Sequence, residues 1–313
     1  MFVAQVLNRA HNRRKDDGWL LKRMNDPDSL FLPVWQSKVL VTEADRPRPV
    51  MLKRAQVADV LAGGEAFFLG EEDGLGFFAI GLGTPGDKEP PAEFASLGKF
   101  RDLRGIGPLL SRQDGALLAY AKIMADWHGR NHYCSVCGSP TRSGEGGHFR
   151  LCSDVDCGAM HFPRTDPAII VLIRLGDRCL LGRQAMWPER RYSVIAGFVE
   201  AGESAEAAVI REAYEEVGVR VKEIYYHSSQ PWPFPCSLML GFTAEAQDGQ
   251  ICLGDRELED ARWFTRPEVR EGLECGTLLL PPKVSIAYQL VEDWFDAESD
   301  IRLCDLAFPD RKA

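Results

Sequence analysis

The chain contains no run of 18 apolar residues, so it offers no hydrophobic segment of membrane-spanning length. It lacks any excess of positive charge. Lys and Arg number 37 against 46 Asp and Glu, a formal net charge of −9. That balance argues against a protein built to coat nucleic acid or an anionic membrane, while leaving room for a local basic patch. No apolar core follows the basic start at Arg9, Arg13, Arg14 and Lys15, so no secretory signal is expected, and Asp16 and Asp17 close behind make a poor transit peptide. The final Arg311, Lys312 and Ala313 are not a peroxisomal address. Neither an internal repeat nor a long low-complexity tract is legible. The nine cysteines are an odd number, which fits a reducing, cytoplasmic setting.

What is present is an ordinary globular balance, 45% hydrophobic and 27% charged, over 313 residues, enough for about two domains. In the first part, Val39–Val41, Ala66–Leu69 and Phe77–Ile80 read as strands of a small β-rich domain. Its boundary falls in the Gly/Pro stretch near 84–91 or at Gly105–Pro108. Gly115 to His128 reads as a connecting helix. Beyond Pro167 strands alternate with helices: Ala168–Ile173, Arg178–Gly182, a Glu-rich helix, Ile224–His227, Ser237–Ala244, and a last helix from about Val284 to Trp294. The division expected is 1–130 for the β-rich domain and helix, 131–162 for a metal ribbon, 163–296 for an α/β domain, and 297–313 for a tail.

Cys134 and Cys137 form a two-residue-spaced knuckle turned by Gly138, and Cys152 and Cys157 follow with a wider spacing. Four sulfurs suit a closed tetrahedral Zn²⁺ site, structural in kind because no position stays open. Disulfides are the main rival reading. Nucleic-acid binding by the ribbon is a second, thinly supported by Arg142, His148 and Arg150. The scattered Cys179, Cys236, Cys252, Cys275 and Cys304 read as small buried hydrophobes.

The richest segment is 197–219, Gly-x5-Glu-x7-Arg-Glu-x2-Glu-Glu-x-Gly-Val. Ser204 can cap a helix there and Gly218 can end it. Glu212 and Glu216 then share a face, with Glu215 at its edge. Like charges so placed repel unless a divalent cation lies between them, and hard carboxylate oxygens suit Mg²⁺ or Mn²⁺. A solvated acidic face is the bland alternative. The full spacing resembles the box of the Nudix hydrolases, departing from it only in the small Ala213 where a bulky aliphatic is usual.

Downstream, Ser229 to Ser237 reads Ser-Gln-Pro-Trp-Pro-Phe-Pro-Cys-Ser. Its prolines exclude a central strand and are expected to hold Trp232 and Phe234 in a stiff extended segment, suited either to stacking on flat rings or to packing. With the four-Cys ribbon before the box, this motif resembles the NADH pyrophosphatase subfamily of Nudix enzymes. His161–Pro167 and Glu257–Phe264 also carry the likeness, which runs from about Trp127 to Trp294 and is weak over 1–100. The resemblance implies a mixed sheet sandwiched by helices, preceded by the zinc ribbon and the β-rich domain. It implies a metal-dependent enzyme that splits NADH or NAD⁺ into nicotinamide mononucleotide and AMP, or that removes an NAD cap from RNA by the same cut. It assigns Glu212, Glu215 and Glu216 to catalysis, and Glu212, Glu216, Glu257 and the Ala196 carbonyl to the metal, with Glu203 and Arg211 structural. Phe162 and Phe198 match stacking positions, Phe162 standing where Tyr is common. Gln230, Pro231, Trp232, Pro233, Phe234, Pro235, Cys236 and Ser237 would surround the nicotinamide ribose, with Ala287 and Arg104 as further contacts. A homodimer without membrane attachment is implied as well. The alternative of another class is a zinc-ribbon adaptor with a dead Nudix domain, against which the intact carboxylates argue.

Overall fold

The computed structural model describes residues 7–83, 86–254 and 257–306. Thr84 and Pro85, within one expected boundary stretch, and the tail beyond 306 lie outside the described residues. The chain divides into two compact units. One comprises residues up to Thr165 together with Trp232–Cys236; the other comprises Asp166–Pro231 and the chain from Ser237 onward.

The first unit begins with helix α1 (Asp17–Asn25), capped by the Asp16 side chain on the Trp19 amide. Strands β1 (Leu30–Trp35), β2 (Lys38–Val41), β3 (Leu52–Lys53), β4 (Ala66–Glu72), β5 (Leu75–Leu82) and β6 (Lys99–Asp102) form one sheet. Its order is β4-β5-β1-β2-β6, with β3 also on β1. β1 and β5 run parallel and the other pairs are antiparallel. Pro33 sits inside central β1, which is the reason this strand is hard to read from sequence. Leu32 and Pro33 have a ladder partner only on β5, since β3 reaches Leu30 and Phe31 while β2 reaches Val34 and Trp35. The proline therefore falls in a gap of the ladder. Helices α2 (Ala58–Gly63), α3 (Leu103–Ile106) and α4 (Arg112–Arg130) complete this part. One face of the sheet packs on α4 through Leu117, Leu118, Ala121, Met124 and Ala125; the other buries Phe31, Leu40, Phe68, Phe78 and Ile80. The ribbon follows as β7 (Thr141–Gly144), β8 (Phe149–Cys152) and β9 (Met160–His161).

The second unit holds β10 (Asp166–Leu175), β11 (Arg178–Arg183), β12 (Ile195–Phe198), helix α5 (Ala205–Val217), β13 (Val221–Trp232), β14 (Ser237–Ala246), β15 (Asp260–Thr265), α6 (Arg266–Glu274) and α7 (Ile286–Asp296). Strand order is β13-β14-β10-β11-β15, with β12 also on β10. β10 is central, parallel to β14 and antiparallel to β11 and β12. Its unbroken apolar run is what a strand buried on both faces requires. Ile169, Val171 and Ile173 meet α5, while Ile170 and Leu172 meet α7. This is the sandwiched mixed sheet expected from the sequence.

The two sheets share one strand order and one set of connections: β1 to β6 repeat β10 to β15. The sequence shows no repeat, but the topology does. α2 occupies the place of α5, between the third and fourth strands, with 6 residues instead of 13 and Asp59 as its only acidic side chain.

Candidate functional site

α5 forms as its caps dictate. The Ser204 hydroxyl accepts from the Ala207 amide at 3.1 Å, and Gly218 closes the helix at φ 69° with its amide on the Tyr214 carbonyl at 2.9 Å. Ala208, Val209, Ala213 and Val217 face the sheet. Ala213 is fully buried there, so its small size concerns packing and not chemistry.

Arg211 organises the acidic groups. Its Nε and Nη2 each donate to Glu203 at 2.9 Å; Nη1 donates to Glu212 at 2.7 Å and to Glu215 at 3.0 Å; Nη2 also donates to the Phe198 carbonyl at 2.8 Å. All five donors of the guanidinium are thereby used. Hydrogen bonding to Glu203, foremost, pushes the Arg211 pKa above its already high ordinary value, and Arg211 holds the Glu203 carboxyl below the usual range. In these contacts Arg211 takes Glu212 through Oε1 and Glu215 through Oε2, leaving the other oxygen of each outside the clamp. Glu216, one turn after Glu212, is 4% exposed.

Gly197 explains itself at this point. A Cβ built on it would lie 2.0 Å from the Glu212 carboxylate, so any larger residue would displace that side chain from where Arg211 holds it. Ala196 precedes it in β12, paired with Ile170. Glu257 lies just ahead of β15, and the Gln184 amide donates to it at 3.2 Å. Gln184 was not legible as a partner, for a lone Gln after a strand carries no pattern. Among the described residues, only the four cysteines form a group of three or more His, Cys, Asp or Glu whose ligand atoms all lie within 4.8 Å of one another. Glu212, Glu216 and Glu257 are thus not drawn together to that degree.

Gln230 proves to be an anchor. It is fully buried; its Nε2 donates to the Val284 carbonyl at 2.7 Å and its Oε1 accepts the Ile286 amide at 2.6 Å, fixing the start of α7. Both ends of the amide expected at the substrate are engaged with backbone. Pro231 is the penultimate residue of edge strand β13, Ser237 opens β14 opposite Asp166, and Ala287 is buried in the core around α7. Phe198 is 58% exposed at the end of β12.

Trp232 to Cys236 differ from expectation. Pro233 to Cys236 make a turn rather than an extended segment, since fixed proline φ values suit a turn and a proline cannot donate to a ladder. Trp232 and Phe234 meet edge-on, with centroids 5.1 Å apart, and pack on the α4 side of the first unit's core. Arg104 lies 4.7 Å from the Phe234 centroid and Lys122 5.9 Å, so Arg104 and Phe234, both expected at substrate, are brought together. Phe162, 62% exposed, follows the ribbon.

In the ribbon, Cys134 and Cys157 Sγ are 3.8 Å apart, Cys137 and Cys152 Sγ 3.4 Å. No cysteine is disulfide-bonded. Four sulfurs about 2.3 Å from a zinc ion would sit at such separations, so the donor set fits a tetrahedral metal. Ser139 hydrogen bonds push the Cys137 thiol down to about 6, while burial pushes Cys152 up to about 12. His161 Nε2 lies 3.3 Å from Cys134 Sγ, a contact its position outside the Cys pattern had hidden.

Residues 163–281 match the NUDIX domain model, and residues 28–127 match that of an NADH pyrophosphatase-like rudimentary NUDIX domain. The chain belongs to the Nudix hydrolase family, in its NADH pyrophosphatase-like branch. It is 41% identical over 247 residues to the NAD-capped RNA hydrolase NudC of Mycobacterium bovis, covering 75% of this chain and 76% of that protein. It is 33% identical over 335 residues to the human NAD-capped RNA hydrolase NUDT12, covering 94% of this chain and 72% of that protein. The rudimentary match accounts for the repeated strand order: the first unit carries a Nudix-like sheet whose α2 has no box. Among the described residues, no helix is long and apolar enough to cross a membrane.

Proposed function

We propose that this chain is a divalent-metal-dependent diphosphatase that cuts the pyrophosphate of a nicotinamide adenine dinucleotide, both free and as the 5′ cap of RNA. The observation that carries this reading is α5: three box carboxylates on one capped helix, two of them oriented by a saturated Arg211, with Gly197 leaving the space that the Glu212 carboxylate occupies. The relatives' names favour the capped-RNA substrate over free dinucleotide alone. Free NADH or NAD⁺ would yield nicotinamide mononucleotide and AMP; capped RNA would yield the mononucleotide and a 5′-phosphorylated transcript.

Glu212, Glu216 and Glu257, with the Ala196 carbonyl, offer the hard oxygen donors that Mg²⁺ or Mn²⁺ takes. Such an ion, when bound, supplies charge neutralisation for the phosphates and lowers the pKa of water. The protein's own part is orientation. Arg211 keeps Glu212 and Glu215 from recoiling from each other, and the buried side of α5 holds their Cα atoms rigidly on the sheet. Glu216 is the candidate base for water, and Glu215 stands beside it. Zinc in the four-Cys ribbon, a cytoplasmic location and a homodimer complete the proposal, as do the division at 130, 162 and 296 and the individual substrate-binding roles of Phe162, Phe198, Arg104, Ala287 and residues 231–237, with Gln230 acting through its hold on the start of α7.

Incubation with NADH and with NAD-capped RNA, in Mn²⁺ or Mg²⁺, should release nicotinamide mononucleotide from both; a protein inert to both metals and both substrates would be the adaptor instead. Metal analysis of the protein purified without chelator should return about one zinc per chain; a metal-free, fully folded protein would remove zinc from the account. Gly197→Ala should cost about 10²-fold in kcat, the usual scale for a misplacement of about 1 Å in a catalytic group, with little change in melting temperature. An unaltered rate would show that Glu212 can move aside at no expense to the reaction.

A further inference from the structure

A histidine reaches the sulfurs of the ribbon from outside the cysteine pattern. Each cysteine accepts one backbone amide: that of Val136 on Cys134 at 3.4 Å, Ser139 on Cys137, Asp154 on Cys152 and Ala159 on Cys157. All four are local, made by the residue two positions past the sulfur it serves. The Ser139 hydroxyl, which also bonds Cys137, is equally local. The contact from His161 Nε2 to Cys134 Sγ at 3.3 Å differs in kind, because it joins residues 27 positions apart. Cys134 is only 3% exposed, so its sulfur depends on the protein for donors.

Chemistry fixes the direction of that contact. Four thiolates around a zinc ion leave surplus negative charge, and each sulfur can then only accept a hydrogen bond. The imidazole nitrogen facing Cys134 must therefore carry its proton and donate it. His161 is not a fifth ligand, since the group whose atoms all lie within 4.8 Å of one another closes at the four sulfurs. His161 ends β9, which meets β8 at only two pairs, Met160 opposite Leu151 and His161 opposite Arg150. A ladder that short is marginal without side-chain support. The imidazole supplies it, tying the last strand of the ribbon to the cysteine knuckle at its start.

We propose that His161 couples zinc retention to the docking of β9, its Nε2–H holding the metal-bound Cys134 thiolate. The proposal rests on the zinc reading above and deepens it. A donor placed behind a ligand draws off part of the surplus negative charge and fixes the ligand's orientation, commonly about 10–100-fold in metal affinity. Such coupling is reciprocal: whatever factor the imidazole adds to zinc binding, zinc adds to the docking of β9. Loss of the metal is then felt at Phe162 and Arg164, the exposed residues by which the chain leaves the ribbon.

The experiment uses the full chain purified with its metal, as wild type, His161→Gln and His161→Phe. Gln keeps an N–H donor; Phe keeps a ring and has none. Zinc loss to a chelating dye should be about tenfold faster in His161→Phe than in wild type, with His161→Gln nearer wild type. In the Co²⁺-exchanged proteins the thiolate-to-metal charge-transfer band should move to longer wavelength in His161→Phe, because a sulfur stripped of a donor gives up an electron more readily. With zinc bound in both, trypsin should cut after Arg164 several-fold faster in His161→Phe than in wild type. In wild type itself, removal of zinc should expose the same bond, a readout that needs no folded variant. Equal zinc loss and equal bands in wild type and His161→Phe would overturn the coupling. Equally fast loss in Gln and Phe would reduce the imidazole to packing and overturn it too, as would cutting after Arg164 that ignores both the variant and the metal. Wild type that carries no metal would instead sink the zinc reading; zinc-bearing wild type with an indifferent His161→Phe would sink this inference alone.

Discussion

Glu216→Gln should lower kcat by at least about 10³-fold while leaving the fold intact. The substitution keeps shape and removes one negative charge and the ability to accept a proton. The site is 4% exposed on the sheet side of a helix whose caps lie elsewhere, so an isosteric amide can be accommodated. General base catalysis is commonly worth 10²–10⁴-fold, and loss of metal charge stabilisation adds to it. If the residue acts only once bonds are changing, kcat and kcat/KM fall together and KM holds. Wild-type turnover in the variant would mean that the metal site has been misplaced. Unfolding of the variant, seen as lost thermal transition, would make Glu216 a packing residue instead.

The second large effect is on stability and comes from His128. This residue is 1% exposed, stacked on Phe67 with centroids 3.7 Å apart. Arg150 Nη1 lies 2.8 Å from His128 Nδ1 and can only donate, so Nδ1 accepts and the Nε2 proton goes to the Gly147 carbonyl, also at 2.8 Å. The imidazole is therefore locked neutral, and burial pushes its pKa down to about 3. Because the folded value lies below the unfolded one, the contribution is fully present above about pH 6.5 and is lost as pH falls from there toward 3. The ceiling is on the order of 5 kcal/mol. His148, pushed down to about 4 by burial and then by Arg14, acts in the same direction. Urea unfolding at pH 7.5, 6 and 5 should show the first unit weakening steadily. In His128→Gln, which can mimic both hydrogen bonds, the curve should start lower and fall less. Parallel pH dependence in the two proteins would show that His128 is not the group being protonated.

How much of this could be read from residues alone depends on whether the physics is local. α5 was legible because capping, period and carboxylate spacing all fall within one stretch of chain, and the structure places Ser204 and Gly218 at its ends as expected. β10 was legible from its apolar run. The four cysteines were legible because thiolate spacing is itself the constraint. Gln230 was not, for its hydrogen bonds reach residues more than 50 positions away, and nothing near it signals that both ends are occupied. Arg211 was expected among carboxylates, but saturation of its five donors depends on the Phe198 carbonyl across a loop. The repeated sheet was invisible for a different reason: strand order constrains where apolar residues fall, not which ones they are, so two copies can keep one topology and no recognisable likeness in letters. β1 was obscured by a single proline whose cost vanishes only once the gap between β2 and β3 is seen.

That repetition has a consequence for robustness. The chain builds the same scaffold twice but equips it once, since α2 carries a lone aspartate where α5 carries the carboxylate cluster. The polypeptide thus has no reserve. On the function proposed above, a lesion in α5 should silence the whole molecule even though a second sheet of the same strand order remains standing, because the proposed carboxylates all lie on that one helix of 13 residues.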